Sequence, residues 1–266
     1  MSHFIRCQCS EDGLVTTLAF RDPLRQNQLC WAAIDELADE LEAARERGGR
    51  AVILTSSLDQ HWFEHAWLED LIAGLEGRDC TGVGDGWFRA LSELSHEAVV
   101  SIAAINGDAS GGGAELAWAC DFRIAEQQAR FAQIEVNAGL TTGIGGCSRL
   151  SRLVGITAAT EMALMGEAVA ATRLLELGGL TRMVEEGQAL TYSEKLAQRL
   201  ASKPAEALRG LKRILRGAEN LPLDEALAFE QQTFQQVVVG ENALASMKRC
   251  QAQYDAEKPI ADVHGY

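Results

Sequence analysis

Short buried strands alternate with amphipathic helices along about the first 180 residues of this chain. Apolar runs of strand length lie at residues 14–20, 50–57 and 98–107, and residues 31–49 and 86–94 carry apolar side chains at helical spacing. Beyond about residue 185 only helical patterns remain, at residues 192–202, 205–218 and 221–240. The alternation predicts an α/β core followed by a helical region.

The charge and the cysteine content restrict the partners that the chain can have. The formal net charge of −14 disfavours a nucleic-acid surface or an anionic membrane as partner. No run of about 18 apolar residues occurs, and the first residues lack the apolar stretch of a secretory signal. Seven scattered cysteines, an odd number, are typical of reduced thiols. We therefore expect a cytoplasmic protein without a metal site.

Three successive glycines, at residues 111–113, interrupt the segment INGDASGGGAELAWACD at residues 105–121. Such glycines serve either a tight strand-to-helix turn or the close approach of the backbone to another group. Because a helix begins here, its first N–H groups point outward and attract negative charge. A ligand oxygen can reach the N–H of Gly112, which has no Cβ. The segment is therefore either an ordinary turn or part of an oxyanion hole.

Two glutamates stand in apolar surroundings, and each is adjacent to a glycine-rich turn. Glu115 follows the three glycines, and Glu135 precedes the segment GLTTGIGG. An apolar setting raises the pKa of a carboxyl group, as general acid–base catalysis requires. Each glutamate is either a structural acceptor for loop N–H groups or one of a pair that converges on a single site.

Two familiar motifs are nearly present. The glycine-rich segment GLTTGIGGCS lacks the lysine of a phosphate-binding loop. The segment DASGG resembles the nucleophile elbow GxSxG, with Asp108 in place of its first glycine. Ser110 is therefore an alternative nucleophile of a serine hydrolase, although an ordinary turn serine is the simpler explanation.

Residues 103–155 as a whole resemble the core signature of the crotonase (enoyl-CoA hydratase/isomerase) superfamily. Segments at RDPLRQNQL, RAVILTSS, ATRLLELGGLTRMV and LPLDEALAFEQQTF extend the resemblance over roughly residues 14 to 260. The resemblance implies a spiral of ββα turns over residues 1–195 that holds an acyl-CoA site. It also implies that the helices of residues 196–266 build a homotrimer or a dimer of trimers.

The resemblance also assigns roles to residues. The thioester carbonyl of an acyl-CoA substrate would lie between the backbone N–H groups of Ala66 and Gly112, beside the catalytic pair Glu115 and Glu135. Having both glutamates favours addition of water to an enoyl-CoA, with no metal or redox cofactor. The implied substrate-binding residues are Leu24 and Arg25 at the CoA nucleotide, together with His65, Trp67 and Leu68.

The first oxyanion loop departs from the family pattern. The family's Gly-Ala-Asp is His65-Ala66-Trp67 in this chain. The two larger side chains either line the acyl site, where a histidine can add acid–base chemistry, or pack within the loop. Other family reactions therefore stay open, namely isomerisation, dehalogenation, decarboxylation and thioester hydrolysis. A non-catalytic CoA-binding or assembly protein is a further alternative.

Overall fold

The computed structural model describes residues 3–256, 258 and 259. Contacts divide the chain into two units, Met1–Ala201 and Ser202–Tyr266. The boundary that the sequence places after residue 195 falls inside the last helix of the first unit, Ala189–Ala201. That helix stays with the first unit because Ala189, Ala197 and Ala201 are buried in the same apolar cluster as Ile53 and Ile102.

Ten strands form two sheets in the described part of the first unit. The larger sheet has the order β1-β2-β3-β5-β7-β10, and the smaller has the order β4-β6-β8-β9. All neighbouring pairs among these are parallel except β1 with β2 and β8 with β9. The strands are β1 Ile5–Cys9, β2 Val15–Phe20, β3 Ala51–Ser56, β4 Gln60–His61, β5 Val100–Ile105, β6 Gly107–Ser110, β7 Phe122–Glu126, β8 Arg130–Ala132, β9 Val169–Ala170 and β10 Arg182–Val184.

The same described residues of the first unit also form seven α-helices. They are α1 Trp31–Glu46, α2 Leu68–Glu76, α3 Gly86–Ser95, α4 Gly111–Ala119, α5 Gly146–Met165, α6 Ala171–Glu176 and α7 Ala189–Ala201. Successive turns of chain repeat one arrangement: a strand in the larger sheet, a short strand in the smaller sheet, and then a helix. The pairs β3–β4, β5–β6 and β7–β8 follow this order. The predicted spiral of ββα turns is thereby confirmed.

The central strands of the larger sheet are buried on both faces. In β5, Ala103 and Ile105 join the main apolar cluster, whereas Ile102 and Ala104 join a second cluster that includes residues of α7. This alternation follows from the period of two along a strand. It explains why β3 and β5 appear in the sequence as continuous apolar runs rather than as alternating ones.

In the second unit the described residues form helices α8 Ala205–Ala218, α9 Leu223–Val238 and α10 Glu241–Asp255. Two glycines of α8 face α9. An added Cβ on Gly210 would lie 3.0 Å from Val237 Cγ2, and one on Gly217 would lie 2.9 Å from Phe229 Cδ1. Small residues at these positions let the two helices pack closely. Within the described ranges, no helix has the length and apolar content needed to cross a membrane.

Several local predictions need correction. Helix α4 begins at Gly111, so the three glycines form its first turn rather than precede it. Helical spacing in the sequence predicts a helix over residues 157–166, but helix α5 begins at Gly146 and bends at Gly155, where φ is 80°. The apolar spacing does not indicate one continuous helix there, because a glycine with positive φ turns the first half of α5 to face a different direction from the second half.

Candidate active site

Helix α4 begins directly at the end of β6, and close packing explains its glycines. A Cβ on Gly113 would overlap the carbonyl oxygen of Phe63, and one on Gly112 would lie 2.6 Å from Cη2 of Trp87. Gly111 has a φ of 44°, in the left-handed region. The first N–H groups of a helix have no carbonyl partner within it. The glycines therefore let the first turn of α4, which carries the Gly112 N–H, pack closely against Phe63 and Trp87.

Residues 62–67 form the loop that faces this helix start. Leu29 donates its N–H to the carbonyl of His65 (2.9 Å) and accepts the N–H of Trp67 (2.9 Å), which makes a parallel bridge opposite Ala66. Since successive N–H groups of an extended chain point to opposite sides, the N–H of Ala66 points away from Leu29.

A cavity of about 570 Å³ opens at this place. Ala66 and Gly112 both line it, as do Glu115 and Glu135. Its other lining residues, mostly apolar, are His65, Leu68, Leu71, Trp87, Gly111, Ile134, Asn137, Ala138, Leu140, Thr141, Gly143 and Ile144. An apolar cavity with a few convergent polar groups is the usual form of a small-molecule site.

Glu115 lies on the buried side of the cavity, with only 3% of its surface exposed. Its Oε1 accepts the N–H groups of Ile144 (3.3 Å) and Gly146 (2.5 Å). The pKa of Glu115 is raised from its ordinary value of 4.5 to about 7, mainly because the group is buried. The N–H groups of Gly146 and Ile144 lower this pKa, whereas the neighbouring charge of Glu135 raises it. At neutral pH this carboxyl group can therefore both accept and release a proton.

Glu135 begins a 3₁₀ turn, Glu135–Ala138, just after β8. Gln133 donates its amide nitrogen to both carboxylate oxygens of Glu135, at 3.1 and 3.2 Å. The amide oxygen of Gln133 accepts the indole N–H of Trp118 at 2.7 Å. Gln133 and Trp118 are buried. The indole thus fixes which end of the amide faces Glu135, and Gln133 holds that carboxylate in place.

The predicted site residues separate into two groups. The cavity brings together Glu115, Glu135, Ala66, Gly112, His65 and Leu68. The other three, all within the described part of the chain, lie outside its lining. Leu24 is 91% exposed, and Arg25 pairs with Asp22 at 2.8 Å and lies over the Trp67 ring at 5.3 Å. Trp67 therefore packs against Arg25 rather than lining the cavity.

His65 has one defined proton position. Its Nδ1 lies 2.9 Å from the carbonyl oxygen of Ala66. Because a carbonyl oxygen only accepts, Nδ1 carries the proton, and a neutral ring leaves Nε2 as an acceptor. An ideal Cβ on Gly111 would lie 2.9 Å from Cβ of His65 and 3.5 Å from Oε1 of Glu135. The histidine and the second glutamate are thus neighbours across Gly111.

Ser110 lacks the partner that a serine nucleophile requires. Its hydroxyl donates to Oε2 of Glu64 (2.5 Å) and accepts the N–H of His65 (3.1 Å). Among the residues that the structure describes, no histidine ring bonds to this hydroxyl; Nδ1 of His61 bonds to Glu64 instead, at 3.0 Å. A histidine beyond the carboxylate cannot take the serine proton directly, so the geometry does not support a serine hydrolase.

A ββα spiral with two outward N–H groups and two carboxylates around one cavity defines the class of protein, which is the crotonase superfamily. The family model described as enoyl-CoA hydratase/isomerase matches residues 11–255. The chain belongs to the enoyl-CoA hydratase/isomerase family, whose members are enzymes.

Individual relatives agree with this assignment. The chain is 33% identical over 227 residues to a short-chain-enoyl-CoA hydratase of Clostridium acetobutylicum, covering 84% of this chain and 86% of that protein. It is 31% identical over 224 residues to a crotonyl-CoA hydratase of Syntrophomonas wolfei, covering 83% and 85%. The crystal structure of an enoyl-CoA hydratase from Bacillus anthracis superposes with a TM-score of 0.83 at 25% identity, covering 96% and 97%.

Because the pKa of Glu115 is raised, we expect the ionisation of this group to make the free energy of unfolding depend on pH. A carboxyl group with a higher pKa in the folded state binds its proton more tightly there, so its ionisation weakens folding as the pH rises from about 4.5 to about 7. Glu115→Gln removes this ionisation and keeps an oxygen for the two N–H groups. We expect the variant to gain about 2–3 kcal/mol over wild type at pH 8 and little at pH 4.5. Urea unfolding at both pH values measures this; an equal difference at both would contradict the raised pKa.

Proposed function

We propose that this enzyme adds water across the 2,3 double bond of an enoyl-CoA thioester. The observation that carries the proposal is the meeting of Glu115 and Glu135 with Ala66 and Gly112 around one cavity. Two carboxylates supply the acid and the base that hydration requires, and two N–H groups supply donors for a developing enolate oxygen. The names of the relatives as hydratases support the same reaction.

The thioester carbonyl is proposed to lie between the N–H groups of Ala66 and Gly112. Water then lies between the two glutamates, above C2 and C3 of the enoyl group. Glu115 takes a proton from the water while the water oxygen bonds to C3, and Glu135 gives a proton to C2. The raised pKa of Glu115 makes its carboxylate a stronger base towards water. After the addition the pair still holds one proton, now on Glu115, and transfer of a proton from Glu115 back to Glu135 restores the starting state. The net reaction therefore combines one water molecule with one enoyl-CoA.

The donors act when negative charge gathers on the thioester oxygen. Each donor stabilises the transition state by roughly 3 kcal/mol, and acid–base catalysis increases the rate by about 10²- to 10⁴-fold. Gln133 keeps the Glu135 carboxylate in position, because its amide nitrogen lies within 3.2 Å of both oxygens. The proposed chemistry uses no metal or redox cofactor. The CoA nucleotide is proposed to lie beside Leu24 and Arg25, outside the cavity.

We further propose a homotrimer or a dimer of trimers built by the second unit. Helical spacing in the sequence places Leu223, Leu227, Phe234 and Val238 along one face of α9. In the single chain Leu223 is 75% exposed, Leu227 57% and Phe234 53%, whereas Val238 is half-buried. Apolar faces of this kind require a partner surface. The free thiols of all seven cysteines favour a cytoplasmic enzyme.

Light scattering tests the assembly. At micromolar concentration we expect a mass of three or six chains, and Leu227→Lys with Phe234→Lys should shift the protein towards smaller species. A monodisperse wild-type monomer would show that the stripe on α9 does not build an oligomer.

A turnover screen over enoyl-CoAs of different chain length, with products identified by mass, tests the reaction itself. The proposal expects products heavier by one water molecule. Products of unchanged mass with a moved double bond would instead indicate an isomerase.

A further inference from the structure

Ser110, which the catalytic scheme does not use, stands at a particular place between the two proposed thioester donors. Its hydroxyl accepts the N–H of His65, the residue directly before Ala66. Ser110 itself comes two residues before Gly112 and directly before the first residue of α4. This hydrogen bond of 3.1 Å, together with that from the Ser110 N–H to the carbonyl of Phe63 at 3.3 Å, joins the two segments that carry the donors.

The direction of the serine hydroxyl is determined by Glu64. Ser110 donates to Oε2 of Glu64 at 2.5 Å, so the oxygen lone pairs are left for the N–H of His65. Bonds to a charged acceptor are short and strong, and they polarise the hydroxyl so that it accepts more strongly. We refer to His61, Glu64 and Ser110 as the Ser110 network.

Glu64 is itself held at several points. Its side chain is 14% exposed, and its other oxygen lies 3.0 Å from Nδ1 of His61. Its backbone N–H donates to the carbonyl of Asn27 at 3.0 Å. The carboxylate that orients Ser110 is therefore held both through its side chain and through its backbone.

We propose that Ser110 is a positioning residue that sets the separation of the Ala66 and Gly112 N–H groups. The proposal rests on the hydratase function, because it assumes that both groups bind the thioester oxygen. The enolate-like oxygen needs both donors at hydrogen-bond distance, so a small displacement of one segment lowers catalysis more than binding. The Ser110 network holds the serine hydroxyl where its hydrogen bond fixes the distance between the Ala66 and Gly112 N–H groups. Ser110 acts in this way without contacting the substrate.

Two variants of nearly equal shape isolate the hydroxyl. Ser110 has extended backbone angles, φ −138° and ψ 154°, which suit β-branched residues. Ser110→Thr keeps the hydroxyl, and Ser110→Val replaces it by a methyl group. We expect Ser110→Val to lower kcat for crotonyl-CoA about 10- to 100-fold with little change in KM, since displacements near 1 Å cost up to about 10²-fold. Ser110→Thr should keep most of the activity.

A spectroscopic measurement separates positioning from a purely structural role. Isotope-edited infrared difference spectra report the carbonyl stretch of bound butyryl-CoA, which cannot react. In the wild type we expect the band below its frequency in water, and in Ser110→Val we expect it to move back towards that frequency. If Ser110→Val does not fold, Glu64→Ala replaces it, because it removes the acceptor that orients the hydroxyl and should shift kcat and the band in the same directions.

The outcomes are distinguishable. A normal kcat and an unshifted band in the folded Ser110→Val variant, or in Glu64→Ala where it replaces that variant, would overturn the positioning role while the hydratase function stands. A wild type without hydration and without a carbonyl shift would instead remove the proposed function on which the inference rests.

Discussion

Glu115→Gln is expected to lower kcat for crotonyl-CoA hydration by about 10²- to 10⁴-fold, the usual worth of a general acid or base. Glutamine preserves the size of the side chain and an oxygen for the N–H groups of Ile144 and Gly146, but it cannot exchange a proton. Glu135→Gln should have a loss of similar size. The decrease of enoyl absorbance over time measures the rate for each variant.

The double variant adds a second test. If both glutamates act on one water molecule, the factor by which kcat falls in the double variant should be much smaller than the product of the two single-variant factors. Binding of butyryl-CoA should change little, because backbone groups are proposed to hold the thioester. Glu167→Gln, an exposed position outside the cavity, is the matched control and should keep wild-type activity.

Full activity of Glu115→Gln in an enzyme that hydrates would contradict the two-glutamate scheme. A severe loss in Glu135→Gln alone, accompanied by movement of a double bond, would indicate an isomerase that requires one base.

Removal of the Gly112 N–H is also expected to lower kcat strongly, because it removes one of the two proposed donors to the thioester oxygen. Proline at this position lacks the N–H, and its fixed φ is tolerated in the first turn of a helix. Any Cβ at residue 112 collides with Trp87, however, at 2.6 Å from Cη2. Gly112→Pro should therefore be combined with Trp87→Leu, which removes the end of the indole ring.

The matched control is Gly112→Ala with Trp87→Leu, which adds a Cβ and keeps the N–H. We expect the proline variant to have a kcat about 10²- to 10³-fold below that of the alanine variant, the cost of one oxyanion donor. Circular dichroism and thermal unfolding establish that both are folded. Equal rates in two folded variants would show that the Gly112 N–H does not hold the substrate oxygen.

The sequence predicts those parts of the fold that depend on local patterns. The runs at β3 and β5 and the helical stripes of α1 and α3 follow from periodicity alone, and three glycines before an isolated glutamate locate the turn into α4. Short elements such as β4 and β9 have two residues each and depend on pairing with distant strands, so no local pattern indicates them.

The candidate site shows the same division. Glu115 and Glu135 stand out because each is a charge among apolar residues. Trp87 and Gln133 do not, because a tryptophan on an amphipathic helix and a glutamine after a strand have ordinary local explanations. Their roles arise from packing: the Trp87 ring meets Gly112 across 25 positions of sequence, and Trp118 orients Gln133 from another element. The partner of Ser110 is equally distant, since Glu64 precedes it by 46 positions.

Incubation of the wild-type enzyme with crotonyl-CoA in water enriched in oxygen-18 tests the central claim most directly. Addition of water to C3 predicts a 3-hydroxybutyryl-CoA product that carries one labelled oxygen in its acyl group, formed with the thioester intact and confirmed by mass spectrometry. Failure to form that product, or label recovered only in a released carboxylic acid, would contradict hydration and assign the site to other thioester chemistry.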